Sequence, residues 1–207
     1  MSEERPLLVT VGSTVSAAER IVAWLKPEME GNAKEPDRVR AVERHIGQFS
    51  TPDDVKRYLS GRDGALRLAA LRVRDIQHQS GDTVGTVTWA AYIMATDSWG
   101  YGRDLRAEVM VGKLARRLTR TDAARAMGAE GKAMDMTADN IYSGSLDDLG
   151  LTIWTVTWNQ AFKLDEETDI SALPDFLRLG MTAKPHGGPD IDGVINVRES
   201  IDEKETD

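Results

Sequence analysis

Thr83-Val84-Gly85-Thr86-Val87-Thr88-Trp89-Ala90-Ala91-Tyr92-Ile93-Met94-Ala95 is dense in β-branched and aromatic residues, and Val87, Trp89, Ala91, Ile93 and Ala95 recur at every second position. Successive side chains of a strand point to opposite faces, so this spacing predicts a strand with one face buried. The loop Asp97-Ser98-Trp99-Gly100-Tyr101-Gly102-Arg103 follows. Beyond it Ala107, Met110, Val111, Leu114, Ala115 and Leu118 fall at steps of three and four, the spacing of one helix face, with Asp104 as the expected cap. The sequence from Thr83 to Arg120 thus reads as a strand covered by the helix that follows it.

Working outward, Leu66, Leu68, Leu71, Val73 and Ile76 alternate with Arg67, Arg72, Arg74 and Asp75, and Ser80-Gly81-Asp82 supplies a turn. A helix fits the first half of this run, but the alternation at Leu71-Arg72-Val73-Arg74 and the turn favour a strand that hairpins into Thr83 to Ala95. Downstream, Gly150 to Phe162 alternates strictly, with Trp154, Val156, Trp158 and Phe162 on one side, the pattern of a half-buried strand. Ser13 or Ser16 can cap a helix to about Met29 with Ala17, Ala18, Ile21, Val22, Trp24 and Leu25 as its buried stripe and Pro27 in its last turn. Asp37 to Ile46 reads as a strand ended by Gly47, and Ser50 to Leu59 as a short helix with Pro52 in its first turn. Thr121 to Met127 adds a helical turn before Gly128 and Gly131, and Met136 to Tyr142 reads as extended. The expected fold class is α+β: an antiparallel sheet of about four strands packed against two or more helices. The expected domains are a lead-in and helix over 1–36, an α+β domain over 37–164 and an extended acidic arm over 165–207.

Charge separates that arm from the body. Residues 165 to 207 hold twelve acidic and four basic side chains, while residues 1 to 164 are balanced at twenty-two of each, so the arm carries the whole net charge of -8. A neutral body gives no general electrostatic case for nucleic-acid binding, which depends on clustered Lys and Arg. No run of about 18 apolar residues occurs, and only a short apolar patch follows Met1-Ser2-Glu3-Glu4-Arg5, so neither a spanning helix nor a secretory signal is expected. Without cysteine there is no disulfide or thiolate metal site, and His45, His78 and His186 form no metal-ligand spacing, so no metal or cofactor is expected.

Several stretches taken together carry a family resemblance: the strand from Val39 that ends in His45-Ile46-Gly47-Gln48-Phe49, then Gly85-Thr86-Val87-Thr88-Trp89, then Gly102-Arg103 turning into an amphipathic helix. The closing Asn140-Ile141-Tyr142, Leu149-Gly150 and Trp154-Thr155-Val156-Thr157-Trp158-Asn159-Gln160 complete the set. Over roughly Val39 to Leu164 the chain resembles the tail-terminator or neck proteins of Mu-like bacteriophages. The resemblance implies a homo-hexameric ring that sits on the last ring of the tail tube, stops its polymerisation and offers its other face to head-completion (neck) proteins. DNA would pass through the lumen without sequence-specific binding. The implied partners are the chain itself, the tail tube protein and the neck protein, with the tail sheath as a further candidate. The implied location is the tail-neck junction of the virion, and the host cytoplasm during assembly.

Candidate contact residues follow. Arg106, Lys113, Arg117 and Arg120, spaced by seven, four and three, either pair with a neighbouring subunit, line a DNA-facing wall, or form an ordinary solvated face. Trp99 and Tyr101 either contact a partner or fold back over the sheet edge. In the arm, Leu173, Phe176 and Leu177, then Val194, Ile195 and Val197, are apolar patches on either side of Pro185-His186-Gly187-Gly188-Pro189. They suit an arm that crosses onto a neighbouring subunit, the Val194 to Val197 patch adding as a strand, or a frayed end docked on its own subunit. Catalysis is not expected. Glu43 with His45, Asp75 with His78, and the pairs Asp53-Asp54 and Asp147-Asp148 are the nearest to acid-base or metal groups, and neither a phosphate-binding glycine loop nor a nucleophile elbow is present. The alternatives to a terminator are a head-completion adaptor ring or a small-ligand-binding or enzymatic α+β domain.

Overall fold

A computed structural model gives the fold and describes residues 7–32, 34–49, 55, 64–79, 81–141, 144–165, 178–183 and 191–196. The chain divides into two units, Met1–Glu167 and Thr168–Asp207. In the first, helix α1 (Thr14–Met29) precedes β1 (Ala41–Arg44), β2 (Ala65–Gln79) and β3 (Asp82–Ala95). Then come α2 (Arg103–Leu118), the short α3 (Ala123–Ala126), β4 (Met134–Asn140), α4 (Gly144–Asp148) and β5 (Thr152–Lys163). The second unit holds β6 (Arg178–Ala183) and β7 (Ile191–Asn196), an antiparallel pair.

Five strands form one sheet in the order β1-β2-β3-β5-β4, with β1 parallel to β2 and every other neighbour antiparallel. The fold class is thus α+β, as the sequence predicts, but the sheet is mixed. Parallel neighbours cannot be joined by a tight turn, and the chain from 45 to 64 makes the crossover between β1 and β2. Most of the helix expected over Ser50 to Leu59 lies outside the described residues, of which Val55 is helical and buried. The first strand is shorter than Asp37 to Ile46, because its register with β2 covers Ala41–Arg44 and closes with the His45 amide on the Leu68 carbonyl, while Ile46 is 85% exposed.

The β3–β5 pairing positions everything else. Trp89 stands directly opposite Trp158, with Ala91 opposite Val156 and Ile93 opposite Trp154, so the two alternating apolar rows share one face. That face is roofed by α1 and α2, whose Ala17, Ile21, Leu25, Met29, Ala107, Met110, Leu114 and Leu118 are buried in the same cluster. Trp89 meets Phe162 edge-on, centroids 5.6 Å apart, a favoured aromatic geometry. Towards the β3 C-terminus the other face is covered too: Ala90, Tyr92, Met94 and Ile153 pack with Val55, Leu146 and Leu151. His45 stacks on Phe49 at 4.2 Å and Phe49 meets Tyr92 edge-on at 4.9 Å. The rest of that face is polar. Thr88 Oγ1 donates to Asn159 Oδ1 at 2.8 Å, Asn159 Nδ2 donates to Asp135 Oδ2 at 2.9 Å, and the Thr137 and Thr157 hydroxyls bond at 2.8 Å.

Two helix starts differ in their caps. Ser13 Oγ accepts from the Val15 amide at 3.2 Å, which fixes the choice between Ser13 and Ser16. At α2 the N-cap is Gly102 and Asp104 lies in the first turn, where its charge still complements the helix dipole. The capping task falls to Asp97, whose Oδ1 accepts from the Arg103 amide at 2.9 Å.

Gly64 at the start of β2 has φ +85°, and a Cβ there would collide with the Met94 carbonyl oxygen; Gly81 in the β2–β3 turn has φ +93° and open space around it. Gly64→Ala therefore combines left-handed strain with a backbone clash, an expected loss of about 3 kcal/mol or more, against about 1 kcal/mol for Gly81→Ala. Urea denaturation midpoints of the two variants check this, and equal losses would contradict the close approach at Met94.

Candidate interaction surface

Three of the four α2-side cations are largely internal. Arg106 is 3% exposed; its Nε donates to the Pro36 carbonyl at 2.8 Å, Nη2 to the Arg38 carbonyl at 3.2 Å, and Nη1 to the Thr96 carbonyl. Lys113 Nζ lies 2.7 Å from Asp37 Oδ2. Arg117 Nη2 donates to the Trp24 carbonyl at 2.9 Å, Nη1 bonds Glu28, and the guanidinium sits 4.3 Å above the Trp24 ring. Within one subunit these three clamp α2 to α1 and to the segment after it, and so differ from an ordinary solvated face. Their partners come from far upstream in the chain, beyond the reach of spacing along one helix. Arg120 stays at the surface, forked onto Asp122 at 2.9 and 3.0 Å.

The loop before α2 does present aromatic rings to solvent. Ser98 and Tyr101 exchange backbone hydrogen bonds of 3.1 and 3.0 Å, and φ is +55° at Trp99 and +77° at Gly100. Positive φ at both central residues matches a type I′ hairpin turn. A bulky residue seldom occupies this region, at a cost of about 1–2 kcal/mol. Trp99 is 62% and Tyr101 50% exposed, so neither is folded away over the sheet. Asp97 and Asp147 both contact the Arg103 guanidinium, tying the base of the turn to α4. Leu105 and Val109, one turn apart on α2, are about half exposed. The helical pattern singled out only the buried stripe; the signal for these two is their i, i+4 spacing within an otherwise polar side.

A second exposed apolar set lies in the lead-in before α1. Leu7, Leu8, Val9 and Val11 are solvent-exposed, Leu7 at 91%. Across the sheet, β4 is exposed at every position except Met136, which is half-buried. It begins two residues before the extended run expected from Met136.

The groups nearest to acid-base or metal pairs in sequence have other partners among the described residues. Glu43 bonds Arg67, its register partner on β2, while buried His45 belongs to the stack on Phe49. Asp75 lies 3.6 Å from Arg74, and Asp147 is engaged by Arg103. Asp53 and Asp54 lie outside the described residues. Asp97, Arg103, Asp104, Asn140, Asp147 and Thr152 line an open cleft of about 400 Å³. Among the described residues no group of three or more His, Cys, Asp or Glu is arranged to hold a metal ion, and no helix is long and apolar enough to cross a membrane. In the second unit, Val194 pairs with Gly180 and Ile195 with Leu179, so the patch expected to add to a neighbour pairs with its own β6. Leu173, Phe176, Leu177 and Val197 lie outside the described residues.

No protein-family model matches the sequence, and no curated protein matches it.

Two outcomes follow for the clamp. Arg106→Leu leaves three carbonyls facing an apolar side chain and is expected to cost about 3 kcal/mol or more in the isolated chain; an unchanged denaturation midpoint would return Arg106 to the surface. Hydrogen bonding to Lys113 holds the Asp37 carboxyl below its ordinary value near 3.8, against the opposing effect of burial. Since the folded-state value is the lower one, this stabilisation is complete above the unfolded value and is lost as pH falls through the folded one. The pair is partly exposed, so Asp37→Asn is expected to cost a few tenths of a kcal/mol at pH 7. Its difference from the native chain should shrink as pH falls below the unfolded carboxyl value near 3.8 in pH-resolved denaturation.

Proposed function

We propose that the chain is a phage virion protein, a tail terminator that caps the tail tube as a homo-hexameric ring, stops its polymerisation and joins the tail to the neck proteins. The observation that carries this reading is the aromatic turn. Trp99 is held out into solvent on a backbone that costs free energy to maintain, with its base fixed by Asp97, Arg103 and Asp147. A rigid, projecting tryptophan suits a protein contact, because large aromatic side chains dominate interface energetics while little freedom is lost on binding. The stretches carrying the family resemblance also fall on the elements that organise the subunit: Gly85 to Trp89 in β3, Trp154 to Gln160 in β5, and the start of α2.

In this reading the sheet and its two roofing helices make a stiff block. Stiffness serves a ring that must match the tube end on one face without reproducing it on the other. The acidic arm from residue 165 reaches a neighbouring subunit or the adjacent ring, and its hairpin β6–β7 is the docking element. The lumen passes DNA by dimension and charge, without base recognition.

Sedimentation of the full chain, alone and with purified tail tube, tests the proposal. A hexamer that binds tube ends is expected, and Trp99→Ala should weaken tube or neck binding by about thirtyfold, the effect of a hot spot. A strict monomer that ignores the tube at every concentration would overturn the reading in favour of a ligand-binding or enzymatic domain.

A further inference from the structure

The five-stranded sheet ends in two unlike edges. On β1, the Val42 amide is taken by Glu30 Oε2 at 2.8 Å, so that edge is partly closed from within. On β4 the Ile141 amide donates to the Ile153 carbonyl at 2.9 Å, and β4 runs antiparallel to β5 with Asn140 opposite Trp154 and Ala138 opposite Val156. Antiparallel ladders alternate, so the backbone groups of Ala138 and Asn140 point away from β5. Among the described residues no strand covers them.

The flank beside this edge is apolar on the core side. Met136, Ala133 and Trp154 pack partly buried against the main core, and Ala138, opposite Val156, is exposed. The outer side is acidic, with Asp135 and Asp139. Two β4 edges brought together would set these carboxylates near their copies, which disfavours edge-to-edge self-pairing. An uncharged strand with alternate apolar side chains meets no such penalty.

The chain carries such a segment: Leu7-Leu8-Val9-Thr10-Val11 is uncharged, rich in β-branched residues and outside every strand and helix of its own subunit, with Leu7, Leu8, Val9 and Val11 exposed. Five residues span about 16 Å, enough to lie along most of the seven-residue β4. In its own chain the segment leads into α1, which packs on β1 and β2, while β4 lies three strand spacings beyond β2, about 14 Å. Among the described residues no strand of the same subunit pairs with either the segment or the edge, and each has what the other lacks.

We propose that Leu7 to Val11 of one copy adds as a strand to the open β4 edge of a second copy, placing Val9 near Ala138 and covering the Met136 flank. Every copy then donates one strand and accepts another. A donor and an acceptor that differ make the contact heterologous, and such contacts close into a ring when the rotation per subunit allows. The inference rests on the self-assembly proposed above.

The chain has no cysteine, so introduced thiols report without background. Full-length chains carrying Leu8→Cys, Val9→Cys or Thr10→Cys are each mixed with a separate Ala138→Cys chain and oxidised; the three positions allow for register. A disulfide between the two different chains is expected from at least one mixture. Ala138→Pro removes an outward amide without touching the β4–β5 ladder, and Val9→Asp alters only the donor. Each is expected to raise the dissociation constant of assembly at least tenfold while the isolated subunit keeps its urea midpoint. If the native chain assembles but both variants assemble equally well and no mixed disulfide forms, strand addition is wrong and the ring reading stands. A disulfide within one chain of the Val9→Cys, Ala138→Cys double variant, or linkage only between Ala138→Cys copies, overturns the assigned occupant. A native chain that stays monomeric overturns both.

Discussion

The constraint on which the subunit depends is the register of β3 against β5, which sets Trp89 across from Trp158. A one-residue slip would turn one strand over against the other, sending either Val87, Trp89, Ala91 and Ile93 of β3 or Val156, Trp158 and Phe162 of β5 to the face that carries the hydroxyls and amides, and bringing either Thr86 and Thr88 or Thr157 and Asn159 in their place. Those polar residues would then lie beneath α1 and α2 without partners. Since the two rows bury their apolar surface only when both strands point the same way, the hydrophobic pattern alone selects one pairing. The helices follow from it: α2 contacts β3 and β5, and α1 contacts β1 and β2, dividing the roof between the two halves of the sheet.

Wherever period and burial coincide, the fold was legible in the sequence. The β2–β3 hairpin, the α1 and α2 stripes and the β5 row depend on side chains a few residues apart, and those relations are local. What escaped depends on distant partners. The parallel placement of β1 comes from a crossover, which four residues of alternation cannot announce. Arg106 escaped for a different reason: a charged residue on the polar side of a helix reads as solvated, and only the folded chain brings the carbonyls of Pro36, Arg38 and Thr96 within reach of its guanidinium. Its cost of burial is offset because the guanidinium donates to all three. Capping by Asp97 has the same origin, since a carboxylate six residues before the helix lies outside any local capping pattern.

Trp99 and Tyr101 were legible as loop aromatics but not as exposed ones. The difference is made by the turn: Ser98 and Tyr101 close a two-residue hairpin, and Gly100 supplies one of the two positive φ values at no steric cost. Trp99 supplies the other, against its preference. A glycine at both positions would relieve that strain and remove the ring, so the sequence keeps a large side chain where the backbone resists it.

The polar half of the second sheet face adds a further condition on assembly. Thr88, Asn159, Asp135, Thr137 and Thr157 bond among themselves, and a face whose polar groups are already satisfied gains little from covering. Apolar surface left exposed lies elsewhere, at the Trp99 turn, at Leu105 and Val109, at the β4 flank and along Leu7 to Val11. Hydrophobic burial is the main driving force of association, so contacts should form at these places rather than over the hydroxyl-lined face. The strand edge and the aromatic turn are separate surfaces built on opposite kinds of backbone, one with unpaired amides and one with its amides closed on themselves. In the ring proposed above, sideways contacts between copies and end-on contacts to other proteins call for two surfaces that cannot substitute for each other, and backbone pairing on one with side-chain docking on the other would keep them distinct.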